Sequence, residues 1–69
     1  MTEEVRVAFD SEDSLESFLR DPSVAPMRRR AMRLPALAPG EAVFCELEPG
    51  EAILIRDAAA RHGATNAEG

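Results

Sequence analysis

The chain has no tryptophan, no tyrosine and no lysine, and only one cysteine, one histidine and three phenylalanines in 69 residues. Without tryptophan or tyrosine, the interior must be built from aliphatic side chains and three phenyl rings. A surface that stacks bases on interleaved aromatics lacks its material. One cysteine cannot close an internal disulfide, which fits a reducing compartment or indifference to redox. One histidine and no C-x-x-C leave none of the spacings by which zinc sites are recognised. No run approaches the roughly 20 apolar residues of a membrane span. The opening MTEEVRVAFD is acidic where a signal peptide is basic, so the expectation is a cytoplasmic protein.

What is present is ordinary in kind. A 45% hydrophobic fraction is that of a globular chain rather than a disordered one. The length makes one domain, and a chain this short buries only about 60% of its unfolded surface, so its core is thin. Charge is uneven along the chain. Residues 1–21 carry seven acids and two arginines, residues 22–40 four arginines and no acid, and residues 41–69 six acids and two arginines, for a net charge of −5. Every basic residue is arginine, whose planar fork suits bidentate pairing with carboxylates.

Hydrophobic spacing then places elements. Val5, Val7 and Phe9 alternate with Arg6 and Ala8, which predicts a half-buried strand. Asp10 or Ser11 offers a helix N-cap, acids at 12, 13 and 16 suit the opening turns, and Leu15, Phe18 and Leu19 follow at helical spacing. Asp21-Pro22 ends that helix, since the residue before proline avoids the α region. Residues 26–34 read both ways. A helix aligns Met27, Ala31 and Leu34, whereas a strand turns Met32 and Leu34 to the core. The strand is preferred because a two-stranded sheet is marginal alone.

The pattern Leu-x-Pro-Gly-Glu-Ala occurs twice, from Leu37 and from Leu47. The first copy leads into a strand with Val43, Cys45 and Leu47 on one side and Phe44, Glu46 and Glu48 on the other. After the second copy, Pro49 near the start, Glu51 in the first turn, three alanines, Arg61, His62 and Gly63 favour a helix through His62 over a strand at 51–56. The tail, 64–69, reads as frayed.

Each chemistry-bearing residue has a plain structural role to set beside a functional one. Arg28, Arg29, Arg30 and Arg33 form the one basic cluster. Net negative charge and the lack of stacking aromatics argue against nucleic acid. A face neutralised by acids at 12, 13, 16 and 21, or contact with an acidic protein partner, remains. Cys45 reads as a small core residue, because a reactive thiolate needs a basic neighbour and Glu46 is acidic. His62 suits a helix C-terminus. Cys45 and His62 together are weak candidates for a metal pair, with no further ligands assigned. Asp10, Glu12 and Asp13 lack the spacing and glycine of a calcium loop, and no cofactor motif is present.

Residues 25–63, from Ala25-Pro26-Met27 through Leu37-Ala-Pro-Gly-Glu to Ile55-Arg-Asp-Ala-Ala-Ala-Arg-His-Gly, resemble in outline the helix–strand–helix run of TusA-type sulfur carriers. Those carriers place their active cysteine directly before the proline where this chain has Ala25, and they continue into strands for which this chain has no counterpart. Sulfur transfer therefore does not carry over.

The expected fold is a small two-layer α+β domain over residues 1–63, β-α-β-β-α, part of a ferredoxin-like unit with two helices on one face of a short sheet. The alternative is a three-to-four-stranded β-meander with one helix. The expected function is non-enzymatic, an interaction or accessory module acting through homo- or hetero-oligomer contacts. The alternative is a small-ligand or metal-binding protein using Cys45 and His62.

Overall fold

The computed structural model describes residues 1–32 and 38–68. Along the chain come β1 (Glu3–Ala8), α1 (Glu12–Leu19), a 3₁₀ helix (Ala25–Arg30), β2 (Ala31–Met32), β3 (Glu41–Leu47), α2 (Pro49–Arg61) and β4 (Asn66–Glu68). Every strand pairing is antiparallel and the sheet order is β2-β3-β1-β4. That order with β-α-β-β-α-β connectivity is the ferredoxin-like split β-α-β arrangement. The two-layer α+β reading holds, and residues 51–56 belong to a helix, so the meander is excluded.

The tail is corrected. Asn66–Glu68 is no frayed end but the closing strand, paired with Arg6–Ala8 of β1. Alanines at 64 and 67 pack against the core from it. Three polar or small residues give too little pattern to read as a strand. What positions them lies upstream, where α2 ends in a Schellman turn. Gly63 has φ 77°, its N–H bonds to Ala60, and the Ala64 N–H reaches back to Ala59. The chain leaves that turn against β1, and Thr65 donates both its N–H and its hydroxyl to the Ala8 carbonyl.

The start of α1 is set by Ser11, whose hydroxyl accepts from the Ser14 N–H at 3.2 Å. Leu15, Phe18 and Leu19 bury their side chains as their spacing requires. In α2 the Glu51 carboxylate accepts the Glu48 N–H at 2.8 Å, and Pro49 occupies the first turn, where its missing N–H costs nothing. Ala52, Ile55, Ala58 and Ala59 form the buried stripe. Small residues there let α2 lie close over β1.

The segment 26–34 follows neither simple reading. Residues 25–30 wind into a 3₁₀ helix with Met27 buried, and only Ala31 and Met32 extend to pair with Phe44 and Val43. Pro26 in its first turn removes one donor, and a 3₁₀ coil turns the chain sharply before the strand. Ala31, not Met32, faces the core, and Met32 is 46% exposed. Arg33 and Leu34 lie outside the described residues.

β3 holds the larger surprise. Val5 opposes Phe44 but Glu3 opposes Leu47, so β3 carries one extra residue across that step, and Glu46 takes φ 57°. This is a β-bulge with a non-glycine residue in the left-handed region, a strain on the order of 1 kcal/mol. The bulge shifts the phase of the strand. Ala42, Phe44 and Leu47 join the core shared with the helices, and Cys45 points to the other face. The expectation that Val43 and Cys45 face the core with Leu47 is thereby corrected. Cys45 is only half-buried.

Gly40 closes the fold at the opposite end of β3. Its carbonyl accepts the Phe9 N–H at 2.8 Å, and a Cβ there would lie 2.3 Å from the Phe9 carbonyl oxygen. At Gly50 in α2, by contrast, a Cβ would meet nothing within 4 Å. Gly40→Ala is therefore expected to destabilise by about 1–3 kcal/mol through backbone displacement, and Gly50→Ala to stabilise by up to about 1 kcal/mol. Urea unfolding of the two variants beside the parent chain measures both signs.

Candidate interaction surface

The chemistry-bearing side chains gather where α2 meets the segment Asp21–Arg30. Asp21 follows α1 and turns the chain back: its Oδ1 accepts from the Ser23 N–H at 2.8 Å and from the Ser23 hydroxyl at 2.6 Å. Its Oδ2 lies 2.9 Å from His62 Nε2 and 3.3 Å from Arg61 Nη1. An ionised carboxylate only accepts, so Nε2 of His62 carries the proton. Arg61 also reaches the Ser23 hydroxyl at 3.1 Å and Asp57 at 3.3 Å. The carboxylate is thus held by donors from both sides, and its side chain is 9% exposed. Hydrogen bonds from the Ser23 hydroxyl, from His62 and from the Ser23 amide, with the Arg61 charge added, hold the Asp21 carboxyl far below the usual carboxylate range.

Serine, histidine and aspartate meet here, yet not as a catalytic relay. Ser23 and His62 each bond to a different oxygen of Asp21, so no histidine nitrogen stands ready to take the serine proton. The arrangement is a clasp joining the α1–3₁₀ connection to the end of α2. His62 also stands edge-on to Phe18, with ring centroids 6.1 Å apart, which fastens the clasp to the core. Sequence reasoning places His62 correctly at a helix C-terminus and misses Asp21 as its partner. Asp-x-Ser, a common Asx-turn pattern, is the available signal.

At the other end of the same flank, Arg30 pairs with the Glu51 carboxylate and donates to the Glu46 carbonyl. The backbone N–H of Glu48 and then the Arg30 side chain hold the Glu51 carboxyl below its ordinary value. The acids expected to neutralise the arginine run therefore do not include Asp21, which serves Arg61 and His62; the partner of Arg30 is Glu51. Arg28 and Arg29 project from the 3₁₀ helix, exposed and without an ion pair among the described residues. Arg33 is not among those residues.

Between the two polar ties lies an apolar pair. Leu54 is three residues past Glu51 and seven before Arg61, on the flank both use. Ile53 rides the adjoining crest. They are 48% and 63% exposed, in a chain that buries nearly every other large apolar side chain described.

Cys45 and His62 are not brought together. His62 lies on the helix side of the sheet against Phe18, and Cys45 lies on the opposite face. There the Cys45 thiol sits 3.8 Å from a Glu4 carboxylate oxygen and 3.7 Å from the Met32 sulfur. Desolvation first, and then the Glu4 charge, push its pKa up. A thiolate at neutral pH is disfavoured, contrary to what a nucleophile or metal ligand needs. Among the described residues no three His, Cys, Asp or Glu side chains are grouped to hold a metal ion. No helix among them is long and apolar enough to cross a membrane.

The clasp makes a pH prediction. A depressed carboxyl contributes stability above its unfolded value of about 3.9, and that contribution is lost as pH falls below it. Asp21→Asn is expected to be less stable than the parent at pH 7, with the gap narrowing progressively below about pH 4. Urea midpoints at neutral and acid pH decide it; a gap of constant size would show that the Asp21 charge contributes nothing.

In comparisons with protein-family models, with curated proteins and with solved structures, nothing matches the chain.

Proposed function

We propose that the protein is a non-catalytic interaction module, and that the flank of α2 carrying Ile53 and Leu54 is its contact surface. The observation behind this reading is the exposure of those two side chains on the helix whose first turn pairs, through Glu51, with Arg30 of the arginine segment. A small chain with a thin core gains by burying large aliphatics. Ile53 and Leu54 are left out although α2 has a buried stripe of its own. The Arg30–Glu51 pair ties the end of the arginine segment to the first turn of α2, where Glu51 lies three residues before Leu54. Together they fit a partner segment that offers an apolar side chain to the α2 crest and carboxylates to the arginines. Arginine and large apolar side chains with a polar rim are the composition of interface centres.

Nucleic acid fits less well. RNA-binding modules of this topology stack bases on aromatics of the sheet's open face. Here all three phenylalanines are interior, on the helix side.

Two measurements test the reading. Ile53→Ser and Leu54→Ser are expected to leave the urea midpoint within about 0.5 kcal/mol of the parent, as surface changes do. A photo-crosslinking side chain at position 53, expressed in the host cell, is expected to give a discrete protein adduct that disappears with Arg28→Glu/Arg29→Glu. The same group at Asp13 on α1 is expected to give none. Equal adducts at both positions, or none at position 53, would refute the assignment.

A further inference from the structure

The closing strand is attached lightly. From Ala64 to Ala67 each side chain is exposed or half-buried, and the two alanines are what touch the core. Val7 of β1 stands opposite Ala67, with Asn66 opposite Ala8 and Glu68 opposite Arg6. Ordering each residue of a strand costs conformational entropy, and two half-buried methyl groups offset little of that cost. The rest of the attachment is backbone pairing, together with the Thr65 N–H and hydroxyl on the Ala8 carbonyl at 2.8 and 3.1 Å. Few buried apolar contacts and hydrogen bonds near solvent mark segments that open without the rest of a fold.

At its root the same segment is fastened more firmly. Three residues before Thr65, the His62 N–H bonds to the Ala58 carbonyl at 3.0 Å, and the His62 ring is held by Asp21 at 2.9 Å. Gly63 then takes φ 77°, and the Ala64 N–H returns to the Ala59 carbonyl at 2.9 Å. The last turn of α2 therefore sets the direction in which the chain leaves for β1. That turn is in turn held by Asp21, through both His62 and Arg61.

We propose that residues 64–68 form a strap that opens and closes over the edge of β1 while the rest of the fold stays intact, and that the contact of Asp21 with His62 is its catch. Closed, the strap pairs with Arg6–Ala8 and blunts that edge. Open, it uncovers the backbone of those three residues, an edge to which an extended segment can add as a strand. Release of the strap frays the last turn of α2, and a frayed turn withdraws His62 from Asp21. Strap and catch open together. Ile53 and Leu54 play no part in this motion.

Amide hydrogen exchange, followed residue by residue by NMR at neutral pH, tests both halves. Thr65 reports the strap through its bond to Ala8, and Ile55, fully buried in the middle of α2, reports the body of the fold. In the parent chain Thr65 is expected to be protected at least about tenfold less than Ile55, with a weaker dependence on urea, because local opening exposes little surface. Equal protection with equal urea dependence overturns the strap, since Thr65 would then open only with the whole fold. Asp21→Asn removes the charge of the catch, and Ser23→Ala is a milder change that withdraws one donor from Asp21. Asp21→Asn is expected to speed Thr65 exchange at least about fivefold, and Ser23→Ala to speed it less. In each variant Ile55 is expected to change by the same factor as Thr65, because both openings lose the clasp. Thr65 exchange left unchanged by both variants overturns the catch, whether or not Ile55 responds, because the clasp would then survive the opening of the strap.

Discussion

The ring of Phe18 is where the separate parts of this chain are joined. Its centroid lies 5.1 Å from that of Phe9, 5.9 Å from Phe44 and 6.1 Å from the imidazole of His62. Those contacts bring α1 against the end of β1, the middle of β3 and the end of α2. With no tryptophan or tyrosine, this one cluster supplies all the aromatic surface the chain can bury. Edge-to-face contacts add about 0.5–1.5 kcal/mol each beyond the area they cover. The contact with His62 has a further consequence. It fixes the last turn of α2, where Asp21 and Arg61 close the clasp, and from there Gly63 turns the chain onto β1 as β4. The closing strand is thus held at one remove by a ring on the opposite helix.

How much of this is legible depends on whether the information is local. β1, α1 and α2 follow from spacing and caps: Val5-x-Val7-x-Phe9, Ser11 before an acidic turn, Pro49 at one end and Gly63 at the other. The bulge at Glu46 is not legible by alternation, because alternation assumes one residue per pairing step. Phe44 and Leu47, both fully buried at a spacing of three, are what a bulge writes into a sequence. Reading straight through them puts Cys45 inside and makes it a candidate to meet His62. A one-residue shift moves it to the other face, and the metal pairing goes with it. β4 escapes notice for a related reason. Its three residues have no pattern of their own, and their place is set by a turn and by the free edge of β1.

The arginine segment shows the same limit in electrostatics. Sequence proximity nominates the acids of α1 and Asp21 as partners. Asp21 is instead occupied from across the fold by Arg61 and His62, and Arg30 finds Glu51 from 21 residues away. Pairing by tertiary contact separates Arg30, which is tied to the scaffold, from Arg28 and Arg29, which are not. Arg28 and Arg29 have no ion pair among the described residues, a distinction that the run Arg28-Arg29-Arg30 cannot express by itself.

The proposed surface on α2 follows from how a two-layer fold of this size distributes its apolar material. One sheet face and one stripe of each helix suffice to make the core, and the sheet's edges are limited by β2 and β4, which span only two and three residues. Short edge strands make edge-to-edge growth unfavourable. Under the proposed reading, contact falls instead to the outer flank of α2, where Ile53 and Leu54 are exposed. A chain with net charge −5 has acids to offer elsewhere on its surface, but a second copy that brought them to Arg28 and Arg29 would meet them head to tail. Such a contact is heterologous rather than self-complementary, which suits the proposed flank better to a different protein.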